Sequence, residues 1–179
     1  NSKVLVIEYS SFIRPSSYII LDMDKLKNKS EIVFNNKNDY YPINEIGDYN
    51  VNNYKYSKID VNKKGLRMSI LVNKNIRGGN RKCILYGYGS YGQSIDPEFS
   101  KYIPSLLDRG YIYCIAHIRG GGENGYNWYK EGKKLNKLNT FKDYIECAEY
   151  LINKGITTSD KLVAVGASAG GLLVGGVIN

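Results

Sequence analysis

The spacing of hydrophobic positions changes near residue 82, and that change divides the chain. Before it, short apolar runs alternate with polar, turn-forming residues. Residues 3–9 and 17–23 read as strands, separated by the polar stretch 10–16, which contains Pro15. A turn-like stretch at 24–28 and a third apolar run at 31–34 follow. These resemble antiparallel strands of a meander or propeller blade. Residues 35–53 are rich in Asn, Asp and Tyr without periodicity and read as a linker. Residues 54–61 and 66–72 then flank Asn62-Lys-Lys-Gly65, a hairpin signal.

From Lys82 onward, strands alternate with helices. Residues 83–86, 111–116 and 162–165 are short apolar runs of strand length. Between the first two, residues 98–108 carry a helical stripe of Phe99, Tyr102, Ile103, Leu106 and Leu107, with Asp96 as N-cap and Pro97 at the first position. Between the last two, after a Gly-rich loop, residues 141–153 carry Phe141, Ile145, Ala148, Leu151 and Ile152 on one face. The pattern Thr140-x-x-Asp143 opens that helix as a capping box. Such alternation predicts an α/β fold, a parallel sheet with helices on both faces.

The last strand runs directly into Gly166-x-Ser168-x-Gly170 and then into a segment of small and apolar residues. Strand, Gly-x-Ser-x-Gly and helix in that order form the nucleophile elbow of α/β-hydrolases. The turn is sharp, so residues beside the Ser must be small, and Gly166, Ala167, Ala169, Gly170 and Gly171 all are. Ser168 is the candidate nucleophile.

Composition adds limits. With 42% hydrophobic and 23% charged residues the chain is globular in type, and no apolar run is long enough to span a bilayer. The net charge of +8 comes from Lys scattered among Asn and reads as solvated faces, because no basic-aromatic module for nucleic acid is present. Cys83, Cys114 and Cys147 cannot all pair; they read as buried reduced thiols in a cytosolic, cytoplasmic setting. No zinc spacing is present, and no metal or cofactor is expected. The Arg119-Gly-Gly-Gly-Glu123 loop lacks the spacing of a nucleotide fingerprint. Its glycines suit a tight loop, with Arg119 pairing a carboxylate, and Trp128 is assigned to packing. The chain starts without Met at a strand and stops within a helix, so it is expected to be a piece of a longer protein.

Five motifs carry a resemblance. They are Leu85-Tyr-Gly-Tyr-Gly-Ser-Tyr-Gly92, Ser105-Leu-Leu-Asp-Arg-Gly110, His117-Ile-Arg-Gly-Gly-Gly-Glu123, Asn139-Thr-Phe141 and Gly166-Ala-Ser-Ala-Gly-Gly171. In this order and spacing they resemble the prolyl oligopeptidase family of serine peptidases. Ser90, Tyr91, the 94–99 stretch and Ser168-Ala169 lean toward its oligopeptidase B branch, endopeptidases that cut short peptides after Arg or Lys. The resemblance implies that residues 1–40 end a β-propeller domain and that 41–179 begin an α/β-hydrolase (peptidase S9) catalytic domain. It implies Tyr88 and the backbone N–H of Ala169 as oxyanion donors, and Tyr91, Asp96 and Glu98 as substrate contacts. Asp96 and Glu98 also suit a helix start, and both readings stay open. The implied partners are short peptides with basic residues, neither nucleic acid nor membrane; a homo-oligomer stays open.

The Asp and His of the triad follow the Ser in α/β-hydrolases and are expected beyond Asn179, leaving this segment inactive alone. His117, Asp143 and Ser168 do occur in the chymotrypsin order. That triad is rejected, with Asp143 assigned to helix capping and His117 to a structural hydrogen bond near the sheet edge.

Overall fold

The structure is a computed structural model and describes residues 3–23, 40–42 and 49–179. Two compact units result. One comprises the described part of Asn1–Val51 together with Pro97–Ser100; the other comprises Asn52–Asp96 and Lys101–Asn179.

In the first unit, β1 (Val4–Ser11) and β2 (Arg14–Asp22) form an antiparallel hairpin that turns at Phe12 and Ile13. The strands reach further than their apolar runs because backbone pairing continues through the polar stretch. Between the pairs Tyr9↔Ser17 and Ser11↔Arg14, Ser10 faces both Pro15 and Ser16, a β-bulge. Proline lacks the ladder N–H, so a bulge is where a strand tolerates it. Within the expected linker, β3 (Tyr40–Pro42) pairs with β2, making a third antiparallel strand. The expected turn at 24–28 and the run at 31–34 lie outside the described residues.

The second unit is built on a mixed sheet in the order β4-β5-β7-β6-β8. Strands β4 (Tyr54–Asp60) and β5 (Arg67–Asn73) are the expected hairpin. Its turn is held by Asn62 Oδ1, which accepts from the N–H groups of Lys64 at 2.8 Å and Leu66 at 3.2 Å. β5 pairs antiparallel with β7 (Ile112–His117). β6 (Cys83–Gly87) lies parallel between β7 and β8 (Leu162–Val165). Leu66, Met68, Leu85, Cys114, Cys147 and Leu151 are among the residues that form the core. All three cysteines are free and buried. Burial pushes the Cys147 thiol up, and a hydrogen bond with Cys83 together with burial does the same for Cys114.

Helix α1 (Tyr102–Asp108) packs on β5 and β7. It starts later than its stripe of apolar residues suggests, so Asp96 caps nothing. Pro104 gives the reason: it has no N–H to donate and its ring would strike the carbonyl four residues back, so it fits only in the first turn. Phe99 instead packs edge-on against Tyr49, with ring centroids 5.5 Å apart. The Gly-rich loop holds an unexpected short helix, α2 (Tyr126–Lys130).

Helix α3 (Leu138–Asn153) starts earlier than expected, and its buried face is Thr140, Asp143, Tyr144, Cys147 and Leu151. Thr140 and Asp143 are therefore interior residues of the helix, and the capping-box assignment is wrong. The inward face is turned because Tyr144 and Asp143 have interior partners. The Tyr144 hydroxyl donates to the Leu85 carbonyl at 2.6 Å. Ile145 and Ile152, expected in the core, line an apolar cavity of about 250 Å³ with Ala148, Leu162 and Ala164. Helix α4 (Ala169–Val177) follows β8 directly.

Candidate active site

The bend between β8 and α4 is centred on Ser168. Its backbone sits at φ 53° and ψ −118°, a left-handed conformation for a residue with a Cβ. Such a conformation costs of order 1–3 kcal/mol and persists only where surrounding structure enforces it. The enforcement is visible in the glycines on either side. A Cβ on Gly166 would lie 2.2 Å from the Gly170 carbonyl oxygen, and one on Gly170 would lie 2.6 Å from the Gly87 oxygen. A Cβ on Gly171 would meet nothing within 4 Å, so small size is not required there. Ser168 is exposed at the head of α4. The N–H of Ala169, in the first turn, has no partner within the helix.

β6 and β8 are parallel neighbours with Tyr86 opposite Val165, so their C-terminal loops leave from the same end of the sheet. That register brings Tyr88 and Ser168 into adjacent loops. The contact of Gly170 with Gly87 and Tyr88 joins them, since a Cβ on Gly170 would also lie 3.6 Å from the Tyr88 Cα. Tyr88 is half-buried, and its ring lies 6.5 Å from that of Tyr91, which is 78% exposed. Gly89 (φ 64°) and Tyr91 (φ 57°) both take left-handed backbone in this loop. Gly87 is needed for space instead, because a Cβ there would lie 2.7 Å from the Tyr144 ring.

The acidic residues are placed differently. Asp96 is exposed at the end of this loop, in the second unit. Glu98 belongs to the first unit and lines a cavity of about 400 Å³ with Glu8, Ser10, Ser16 and Phe99.

Behind the loops lies a buried polar framework. His117 Nε2 is 2.7 Å from the Ser69 hydroxyl, and His117 is 3% exposed. Asp143 accepts from the Arg119 backbone N–H at 2.9 Å and from its guanidinium at 2.8 and 2.6 Å. These hydrogen bonds tie Asp143 to Arg119 and His117 to Ser69, so the chymotrypsin-order triad is not assembled. The Asp143 hydrogen bonds hold the Arg119 guanidinium even further above its ordinary range. Arg119 thus finds its expected carboxylate, and Trp128 packs partly buried against the core. Thr140 Oγ1 donates to the carbonyls of Arg119 and Gly132.

A residue that sequence reading passed over joins this framework. Lys137 Nζ donates to the Gly89 carbonyl at 2.6 Å and to the Ser90 hydroxyl at 2.8 Å. By composition it belongs with the lysines scattered among Asn that read as solvated faces. No local signal marked it, because the helix limit that puts Lys137 directly before α3 was set by the fold.

A model of the prolyl oligopeptidase family matches residues 97–179. Protease 2 of Moraxella lacunata is 39% identical over 137 residues, covering 74% of this chain and 20% of that protein. Oligopeptidase B from Trypanosoma brucei, solved with covalently bound antipain, superposes with a TM-score of 0.80 at 36% identity over 99% of this chain. The chain belongs to the prolyl oligopeptidase family.

Dipeptidyl aminopeptidase BI of Pseudoxanthomonas mexicana is 48% identical over 118 residues, 65% of this chain and 16% of that protein. The chain thus spans about a fifth or less of these two curated relatives, and 24% of the T. brucei enzyme. The strand order of the second unit is that of the start of the family's α/β-hydrolase sheet, preceded by antiparallel strands. Among the described residues no helix is long and apolar enough to cross a membrane.

Proposed function

We propose that this chain is a segment of a serine endopeptidase of the oligopeptidase B type, cutting short peptides after Arg or Lys through an acyl-enzyme. The observation that carries the reading is the strained backbone of Ser168 at the head of α4, beside the loop that bears Tyr88. A seryl hydroxyl needs a base to remove its proton as it attacks. We assign that base, a His, and its orienting Asp to the sequence after Asn179. Residues 1–40 are assigned to the end of a propeller domain and 41–179 to the first part of the catalytic domain.

In the reaction, Ser168 Oγ forms a bond to the peptide carbonyl carbon while its proton passes to the base. The carbonyl oxygen becomes an oxyanion that accepts hydrogen bonds from the Ala169 N–H and the Tyr88 hydroxyl. Collapse breaks the C–N bond, the amine leaves with the proton, and water repeats the sequence on the ester. Tyr91 lines the pocket beside the scissile bond. Asp96 and Glu98 offer carboxylates to basic side chains, for which charge-assisted hydrogen bonds are suited. No metal or cofactor takes part, and the enzyme acts in the cytoplasm.

The identity to dipeptidyl aminopeptidase BI favours a second reading, release of N-terminal dipeptides by the same Ser168 chemistry. One experiment separates the two. The full-length protein and its Ser168→Ala variant are incubated with short peptides carrying Arg, Lys or Pro at an internal site, and products are read by mass spectrometry. Internal cleavage after Arg or Lys, lost in the variant, supports the first reading. Dipeptide release supports the second. Cleavage after Pro gives prolyl oligopeptidase specificity, and no cleavage of any peptide points to a family member that binds without turning over.

A further inference from the structure

Lys137 occupies an unfavourable place on two counts. It sits directly before the first residue of α3, where the helix dipole repels a cation. Its ammonium is also drawn out of water, and burial lowers its tendency to hold a proton. Both acceptors are neutral oxygens, the Gly89 carbonyl and the Ser90 hydroxyl, so no full negative charge at those contacts offsets the loss of water. Such a placement is retained where the two hydrogen bonds do something that a solvated lysine would not.

The loop it grips supplies that reason. Gly89 (φ 64°), Tyr91 (φ 57°) and Gly92 (φ 66°) put three left-handed residues within four positions, one of them with a full side chain. An L-residue is disfavoured in that region, so the loop needs an external hold to stay in one conformation. On its N-terminal side Tyr88 follows β6, whose last residue, Gly87, is registered to Ala116 of β7. Further along, the Gly92 N–H donates to the Gly120 carbonyl at 3.0 Å, and between these two points Lys137 is the side chain that holds Gly89 and Ser90. The anchor is itself rigid, because α3 is tied to the neighbouring loop through Asp143 and Thr140.

We propose that Lys137 is a positioning residue for the oxyanion site, fixing Gly89 and Ser90 so that the Tyr88 hydroxyl stays aimed at the reacting carbonyl. This rests on the reading of Tyr88 as an oxyanion donor. Lys137 touches no substrate atom, and its effect passes entirely through Tyr88.

A double-mutant cycle in the full-length protein tests it, with Lys137→Met, Tyr88→Phe and the double variant assayed on a short Arg peptide. Lys137→Met should lower kcat roughly tenfold and leave KM within about twofold. In the Tyr88→Phe background the same change should cost no more than about twofold, because the donor it positions is already gone. An equal loss in both backgrounds, or a loss confined to KM, overturns the proposal. Silence of Tyr88→Phe alone is a different failure: it removes Tyr88 from the oxyanion site, and the role of Lys137 with it. If Lys137→Met does not fold, Ser90→Ala takes its place in the cycle. It removes one contact and no charge, and the same non-additivity with Tyr88→Phe is expected at about threefold.

Discussion

Gly170 and Gly171 are adjacent in one helical turn, yet a methyl group should have opposite effects at the two. In Gly170→Ala the new Cβ lies 2.6 Å from the Gly87 carbonyl oxygen, where ordinary contact begins at 3.4 Å, so 0.8 Å of separation (3.4 − 2.6) must be found. The obstructing atom is backbone at the end of β6, in register with Ala116, and it cannot rotate away. Overpacking of this kind costs about 1–3 kcal/mol, and the better helix propensity of Ala returns at most about 1. Because the obstructing backbone is fixed, the upper part of that range applies, about 2–3 kcal/mol, and the net expectation is a loss of about 1–2 kcal/mol. In Gly171→Ala the Cβ meets nothing within 4 Å, and only the propensity and unfolded-state gain remain, about 0.4–1 kcal/mol of added stability. Denaturant midpoints of the two full-length variants should therefore fall on opposite sides of the parent. Labelling of Ser168 by a fluorophosphonate supplies a second readout. It should slow in Gly170→Ala, where α4 is pushed from the Tyr88 loop, and stay unchanged in Gly171→Ala. If Gly170→Ala proves as stable as Gly171→Ala and labels at the parental rate, the close approach of elbow and loop is wrong.

Three further outcomes are expected. Ser168→Gly should abolish peptidase activity and raise stability by about 1 kcal/mol relative to Ser168→Ala, since only glycine relieves the left-handed backbone; denaturant melts of the pair check it. Asp143→Ala should destabilise by about 2 kcal/mol, because the Arg119 backbone N–H and guanidinium lose their acceptor and only Glu131, 3.8 Å away, still faces the cation, while Asp143→Asn should cost less by keeping an acceptor; calorimetry distinguishes them. Cys114 and Cys147 should resist iodoacetamide at pH 8 until the protein is unfolded, as mapped by peptide mass spectrometry. Their folded-state pKa values are raised, so the unfolded thiols lose protons first. Stability from this source is full below the ordinary thiol range and falls as pH rises above about 8.5.

The strands and the elbow were legible in the chain because they depend on local spacing. The hairpin around Asn62, the apolar runs at 83–86, 111–116 and 162–165, and the glycines about Ser168 each encode their geometry within a few residues. Helix limits were less so. The Asp96 cap failed because Pro104, further along, dictates where α1 can begin. The capping box at Thr140 failed because Asp143 answers to Arg119, and Tyr144 to Leu85, partners that no local pattern names. Lys137 is the clearest case: among other lysines it looked like solvated surface, and only the folded loop puts two oxygens within its reach.

Short-range sterics thus wrote the sheet, the sharp bend and the family motifs into the order of residues, where they can be read without coordinates. The alignment of two loops at one sheet end, and the choice of which charged side chains turn inward, depended on atoms brought together from distant positions. Burial energies are set by three-dimensional neighbours, so those choices were made only when the chain closed on itself.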